Sequence, residues 1–437
     1  YTKIIYKDKP KKKISDKKKL DRKKKSYWEK SNKIFHRFSR NSIYSDNNPA
    51  NLAINSPFYN FRIDLPKIDF HFTNKSITPN LIIDYFTKGQ RLTSTEQNEV
   101  VNSINNLHLL TNLNISPMRI DFRKYRFSSN LHTLVNGDLR GEILSVPFSN
   151  LNMGSNFNQK FDFEILSYVK NSLGIGQTFK TDFATIRVGA NYNYYLGIAY
   201  FKTSADTFNL VNNLEMFSSS MSLSMEGSQL VWDAMGEDGI DSDKFEEEYF
   251  AETSNGIDLG LGVNLKKLIH QNLDIELIIE NIDAKFTFKD GKKETYSNTI
   301  YGSNIIEFSD SLNSIGNEMD TISIVKDFTV KIPQKTIINA TYQPIPQIVV
   351  SGGFEKYSGN FVTHSSKTNI HLKTGYFPTN WFNINYGLRT SNQQVVQSIG
   401  TGFQSKIMDL LIDVSSYDGI LNNANGLGLS FRLSFYL

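Results

Sequence analysis

No cysteine occurs among the 437 residues, which excludes disulfides, thiolate metal sites and thiol catalysis. No uninterrupted apolar run approaches the roughly 18 residues that a membrane-spanning helix needs, so any bilayer crossing has to be made by strands. The chain opens at Tyr1 without an apolar signal-peptide core and is read as a mature chain whose leader has been removed. Catalytic signatures are missing as well. The seven histidines at 36, 71, 108, 132, 270, 364 and 371 show neither His-Glu-x-x-His spacing nor a carboxylate cluster of metal-binding type, and there is no Gly-x-Ser-x-Gly elbow or phosphate-cradling loop. Asp238, Asp241 and Asp243 lie close together but lack the EF-hand spacing, so a solvated acidic loop is expected rather than a calcium site. A non-enzyme without cofactor or metal is the resulting expectation.

The net charge of +4 conceals an asymmetry. Residues 1–40 hold 14 Lys and 3 Arg against Asp8, Asp16, Asp21 and Glu29, a balance of +13 that leaves the remaining chain at −9. The Lys runs 11–13, 17–19 and 23–25 repel one another too strongly to pack, so residues 1–46 are expected to form a disordered, solvated segment. Its alternative role is contact with anionic lipid, lipopolysaccharide or cell-wall polymer. With the basic residues confined there and no recognition motif beside them, no nucleic-acid partner is expected.

From about residue 60 onward, segments of about ten residues alternate apolar and polar side chains and end in turns rich in Gly, Asn, Asp or Ser. In the last of them Leu427, Leu429, Phe431, Leu433, Phe435 and Leu437 share one face, and Gly428, Ser430, Arg432, Ser434 and Tyr436 the other. The same alternation places strands near 113–123, 125–136, 159–169, 173–181, 184–203, 206–225, 255–266, 271–289, 328–343, 346–357, 366–377, 381–391, 395–405, 407–417 and 427–437, with longer ones open to division. A soluble sandwich also alternates, but these strands are long, and aromatics such as Tyr376, Phe377, Trp381 and Tyr386 sit near strand ends. A closed transmembrane barrel meets both facts, because lipid leaves no partner for the backbone of an open edge. The glycines alternating through Gly256–Gly262 read as close packing or a bend in the wall. Two interruptions stand out. Residues 93–110 read as a small helix, with Thr93 and Glu96 placed as a capping box and Val100, Ile104 and Leu107 on one face. Residues 233–250, rich in Asp and Glu, read as an external loop.

Asn48-Pro49-Ala50-Asn51-Leu52 resembles the Asn-Pro-Ala motif near the mature N-terminus of FadL-type outer-membrane proteins. Leu92-Thr93, Gly256-Ile257-Asp258-Leu259-Gly260, Glu280-Asn281-Ile282, Pro333 with Ile338–Tyr342, Gly353-Phe354-Glu355 and Leu372–Tyr376 follow in the order such proteins show. The chain from 48 to 437 thus resembles the FadL-like superfamily, in particular a branch related to barrel proteins of Bacteroidota type IX secretion. The resemblance implies an all-β antiparallel barrel of about 14 strands over residues 47–437, set in the bacterial outer membrane by the barrel assembly machinery. It implies an N-terminal hatch, for which Asn48, Pro49, Ala50 and Asn51 are the candidate residues. It also implies passage of a hydrophobic solute such as a long-chain fatty acid. A scaffold barrel that binds secretion-system subunits through loops such as 233–250 and 290–327 is the rival.

A folded barrel of this type is heat-modifiable. Unboiled protein in mild detergent should migrate differently from boiled protein and give a β-rich circular dichroism spectrum; a helical spectrum would refute the fold.

Overall fold

Alternation along a strand sends successive side chains to opposite faces, so a sheet of such strands separates an apolar surface from a polar one. In a computed structural model, described for residues 47–54, 60–74, 106–141, 155–212, 217–235, 250–265, 272–302, 320–345, 347–358, 368–379, 381–391, 394–405, 407–419 and 424–437 and a few isolated positions, these faces become the outside and inside of a barrel. The strands are β1 (Phe61–Asn74), β2 (Asn106–Phe122), β3 (Tyr125–Gly141), β4 (Ser155–Lys180), β5 (Thr185–Asn212), β6 (Phe217–Gly227), β7 (Ser254–Asn264), β8 (Asn272–Ile282) and β9 (Lys285–Gly302). They continue as β10 (Asp320–Lys331), β11 (Lys335–Ile345), β12 (Ile348–Tyr357), β13 (Asn369–Tyr376), β14 (Phe382–Ser391), β15 (Gln394–Gln404), β16 (Met408–Tyr417) and β17 (Gly426–Tyr436). The basic segment 1–46 lies outside the described residues.

Seventeen segments make fourteen positions in the wall, all pairings being antiparallel. β7 pairs with the first half of β5 (Thr185↔Asn264 to Tyr195↔Ser254), and β6 pairs with the second half (Phe201↔Gly227 to Asn212↔Phe217), so the two share one position. β8 runs on into β9, and β10 into β11, as one long hairpin: Lys331 faces Lys285 and Lys335 faces Glu280. Closure is made by β1 with β17, from Arg62↔Tyr436 to Thr73↔Gly426, sealed by the Phe61 and Leu437 backbones. An even number of positions returns the start of β1 and the end of β17 to one rim. Connections there are short, as at 123–124 and 181–184, which makes it the periplasmic side.

The outer face is an apolar belt. On β17, Leu427 and Leu429 are exposed while Gly428, Arg432, Ser434 and Tyr436 are buried inward, as the alternation requires. Leu173, Ile175, Tyr192, Leu259, Leu372, Ile399 and Val414 continue the belt around the wall. Trp381, Phe382 and Phe403 pack together near the periplasmic rim, with ring centroids 5.3 to 6.4 Å apart. Such aromatics belong at a membrane interface.

Several sequence-based boundaries are corrected. β1 falls outside the strands expected from alternation, because Pro66 has no N–H to give to a ladder. It is accommodated at a bulge where the β1–β17 register shifts between Asp64 and Lys67. Segments 159–169 and 173–181 are one strand, β4, of 26 residues. Within the expected helix 93–110, residues 106–110 are strand β2; of the rest only Thr93 and Thr95 fall among the described residues. A small helix does occur, at Gln229–Met235 (α1), so Asp233 is helical, while 236–249 lie outside the described residues. The expected loop 290–327 consists of β9 and β10 wherever it is described.

This register makes a directional prediction. Phe431→Arg or Leu433→Arg directs a charge at lipid and should cost about 2 to 4 kcal/mol near the midplane, whereas Ser430→Arg, facing the lumen, should be milder. Urea unfolding of the three variants in detergent checks it; equal losses on the two faces would mean that the register is wrong.

Candidate functional site

Asn48 to Ala53 lie inside the barrel. Pro49–Ala53 form one short 3-10 turn, started by the fixed φ of Pro49 and capped by Asn48, whose side-chain oxygen accepts from the Ala50 N–H at 2.9 Å. Each of the four hatch candidates is buried: Asn48, Pro49, Ala50 and Asn51. So are Leu52 and Ala53, which the motif did not single out.

The wall is shaped to take this turn. Gly176 on β4 pairs with Gly189 on β5, and Gly189 pairs with Gly260 on β7, so three glycines stand in one row across adjacent strands. A Cβ at Gly189 would lie 2.3 Å from the Pro49 carbonyl carbon, one at Gly260 2.1 Å from Asn48 Oδ1, and one at Gly176 2.7 Å from the Ala53 nitrogen. No side chain larger than hydrogen fits beneath the turn. The alternating glycines of 256–262 are therefore explained by close approach. Gly262 serves the same end differently, by leaving room for the Arg187 guanidinium.

Polar contacts fix the seat. Asn48 Nδ2 donates to Glu276 Oε1 on β8 at 3.0 Å, and Asn51 also hydrogen-bonds to Glu276. Thr178 Oγ1 donates to the Ala53 carbonyl at 2.6 Å. Glu276 is buried, and the Arg187 guanidinium lies 3.9 Å from it while making its main pair, at 2.6 and 2.7 Å, with Asp274. Beside the turn, on β1 to β3, Arg62, Arg119 and Arg126 surround Asp64 and Asp121 in a buried network with contacts of 2.7 to 2.8 Å. Turn and network lie side by side in the lumen, the turn against β4, β5 and β7 and the network on β1 to β3.

Beyond them the lumen divides. One side is apolar: Tyr168, Tyr195, Tyr200, Phe286, Phe288 and Phe328 are buried with Leu134, Leu166 and Ile332, and neighbouring rings lie 5.2 to 6.4 Å apart. This cluster forms where β8 bends into β9. Asn281 and Asp283 take positive φ values there, 59° and 57°. Asp258 holds the bend by accepting from the Asn281 N–H at 2.8 Å and from Lys170 Nζ at 3.0 Å. On the other side is a cavity of about 420 Å³, lined by Asn47 and mainly by polar and charged side chains of β1 to β3, β8 and β11 to β17. Among the described residues there is no group of His and carboxylate side chains fit to hold a metal ion.

The family model described as a family of unknown function, DUF5723, matches residues 49–412. The chain belongs to that family. No curated protein matches it. Three solved structures are similar to it over most of its length, at low identity. The toluene transporter TbuX of Ralstonia pickettii is 10% identical over 90% of this chain and 92% of its own, with a TM-score of 0.40. The P. putida toluene transporter TodX is 11% identical over 89% and 91%, at 0.42. A Pseudomonas aeruginosa FadL homologue is 11% identical over 91% and 95%, at 0.35. A fold shared at this distance does not carry a function, so the reading of this DUF5723 chain rests on its lumen.

The glycine row can be tested directly. Gly189→Ala should displace the turn and raise single-channel conductance in planar bilayers without altering heat-modifiable migration. Gly352→Ala, whose added carbon would meet nothing closer than 3.5 Å, should leave both unchanged. Equal conductance of the two variants would show that the turn does not obstruct the lumen.

Proposed function

We propose that this chain is a bacterial outer-membrane barrel that passes small molecules through a lumen closed by the Asn48–Ala53 hatch. The observation that carries the reading is the glycine-floored seat: three strands give up their side chains to receive a turn that no closed sheet needs for its own stability. A barrel of this width leaves a lumen that wall side chains alone do not fill, and a removable plug is how such a lumen avoids being a permanent pore.

A hydrophobic solute, such as the long-chain fatty acid that the resemblance implies, would find apolar wall at Leu110, Leu134, Tyr168 and Ile332, which line the cavity beside the aromatic cluster. Most of the remaining lining is polar, so a solute carrying polar groups suits this lumen better than a bare hydrocarbon. The rival reading is a scaffold for secretion subunits. It is supported by β10, where Ile322, Ile324 and Val325 are more than half exposed on a strand whose only partner among the described residues is β9.

Truncation separates passage from scaffolding. Deleting residues 1–40 should leave assembly and conductance intact, whereas deleting 41–60 should raise leakage of small solutes through planar bilayers. Unchanged conductance in both truncations, together with co-purification of secretion subunits, would favour the scaffold and remove the support for a hatch. Uptake of a radiolabelled fatty acid into a deletion strain carrying the full-length chain tests the hydrophobic solute separately.

A further inference from the structure

Most charges lining the cavity already have partners. Lys67 pairs with Asp69 at 3.0 Å and Lys335 with Glu355 at 2.7 Å, while buried Glu280 stands opposite Lys335 in the ladder. Three charges on one stretch of wall differ. The side chains of Lys373 on β13 and Asp413 on β16 make no hydrogen bond and no ion pair among the described residues, although each is the other's charged neighbour, with Asp69 also facing both. Arg389 on β14 has a single weak contact, from its Nη2 to the Tyr417 hydroxyl at 3.4 Å.

The backbone register shows why the two opposite charges face without touching. β13 and β16 are three strand spacings apart, roughly 14 Å. Lys373 stands beside Gly387 on β14, and its side chain leans across the space a Cβ there would take, with Cγ 3.4 Å and Cε 3.8 Å from that point. Asp413 stands beside Gly400 on β15 and leans the same way from the other side, its Oδ1 only 1.6 Å from where that Cβ would be. Their rows are two residues apart along the strands, so the two side chains lean toward each other diagonally, each over its own glycine, and do not touch. Ser398 and Ser415 continue the floor.

A cation pair and a carboxylate held apart across a small-residue floor complement a ligand carrying both charges. We propose that this wall binds a zwitterionic solute, an α-amino acid or short peptide, with its carboxylate on Lys373 and Arg389 and its ammonium on Asp413. The inference rests on the lumen being open to solutes, and it names the class that the polar wall selects. An uncharged apolar solute would leave all three groups unsatisfied in a confined space, a desolvation cost without return. A simple anion would satisfy the cations and strand the carboxylate.

The test is calorimetric titration of the detergent-purified full-length chain with alanyl-alanine, with its N-acetyl form, which keeps only the negative charge, and with its C-terminal amide, which keeps only the positive one. Alanyl-alanine should bind, and each capped form should bind about tenfold more weakly or worse, since a charge-assisted contact is worth roughly 1.5 to 3 kcal/mol. Lys373→Gln should weaken alanyl-alanine and the N-acetyl form but not the amide; Asp413→Asn should weaken alanyl-alanine and the amide but not the N-acetyl form. General misfolding does not produce that crossed pattern. Absence of saturable alanyl-alanine binding, equal binding of the three probes, or uniform loss in both variants would overturn the proposal. Binding is read here without transport, so failure of the hatch in bilayers and failure of this site give different results.

Discussion

The constraint on which everything else depends is that a backbone amide facing hydrocarbon has no water to turn to. β1 and β17 meet it by pairing over nearly their whole length, and the Phe61 and Leu437 backbones complete the seam at the rim. Once the sheet is closed, alternation has a fixed meaning. Odd residues of β17 from Leu427 face lipid, and the even ones face a lumen where Arg432 and Ser434 can be buried without meeting hydrocarbon. Arg62, Arg119 and Arg126 could not stand on the other face of the same strands. Closure therefore permits the charged interior.

A closed sheet with a polar inside also creates a void, and the chain fills it unevenly. On one side aromatic rings pack as in a soluble core. This happens where the β8–β9 and β10–β11 hairpin bends and β6 takes over from β7 as the neighbour of β5. At the periplasmic half the filling is a turn from outside the sheet, and the wall loses side chains at Gly176, Gly189 and Gly260 to admit it. The remainder stays open as the polar cavity. The three kinds of filling differ in how they are attached: the rings belong to strands of the wall, whereas the turn belongs to none of them.

How much of this was legible in the sequence follows from the range over which each feature is written. Strand alternation is local, so β7 and β11 to β17 could be read from consecutive residues. β1 could not, because Pro66 and the bulge beside it break the period that identifies a strand. The division of one wall position between β6 and β7 is a pairing choice that no single segment records. The Asn48–Asn51 turn is visible through its likeness to a family motif, and its seat lies some 130 to 210 residues away, at glycines whose row exists only once β4, β5 and β7 are in register. The alternation of glycines in 256–262 was visible, but not what they approach. The charged stretch of cavity wall was invisible for the same reason: Lys373, Arg389 and Asp413 are separated by strands whose register had to be known first.

The chemistry of the seat bears on whether the turn is a fixed piece of core or a part that moves. Removing one partner of a buried charge is ordinarily costly, by about 3 to 5 kcal/mol, because the other is left uncompensated. Here the charge is Glu276, and the groups that the turn brings to it, from Asn48 and Asn51, are neutral amides. Its cationic neighbour, Arg187, belongs to the wall and stays when the turn goes, 3.9 Å from the carboxylate and already held by Asp274. Withdrawal would therefore exchange two amide contacts and the Thr178–Ala53 hydrogen bond for water entering from the periplasm, while the balance of charge in the wall is unchanged. Had Glu276 been paired to a lysine or arginine of the turn, departure would have stranded an ion on each side. On the proposed reading of the turn as a hatch, keeping the ions in the wall and joining the turn to Glu276 only through neutral donors makes withdrawal less costly than breaking an ion pair.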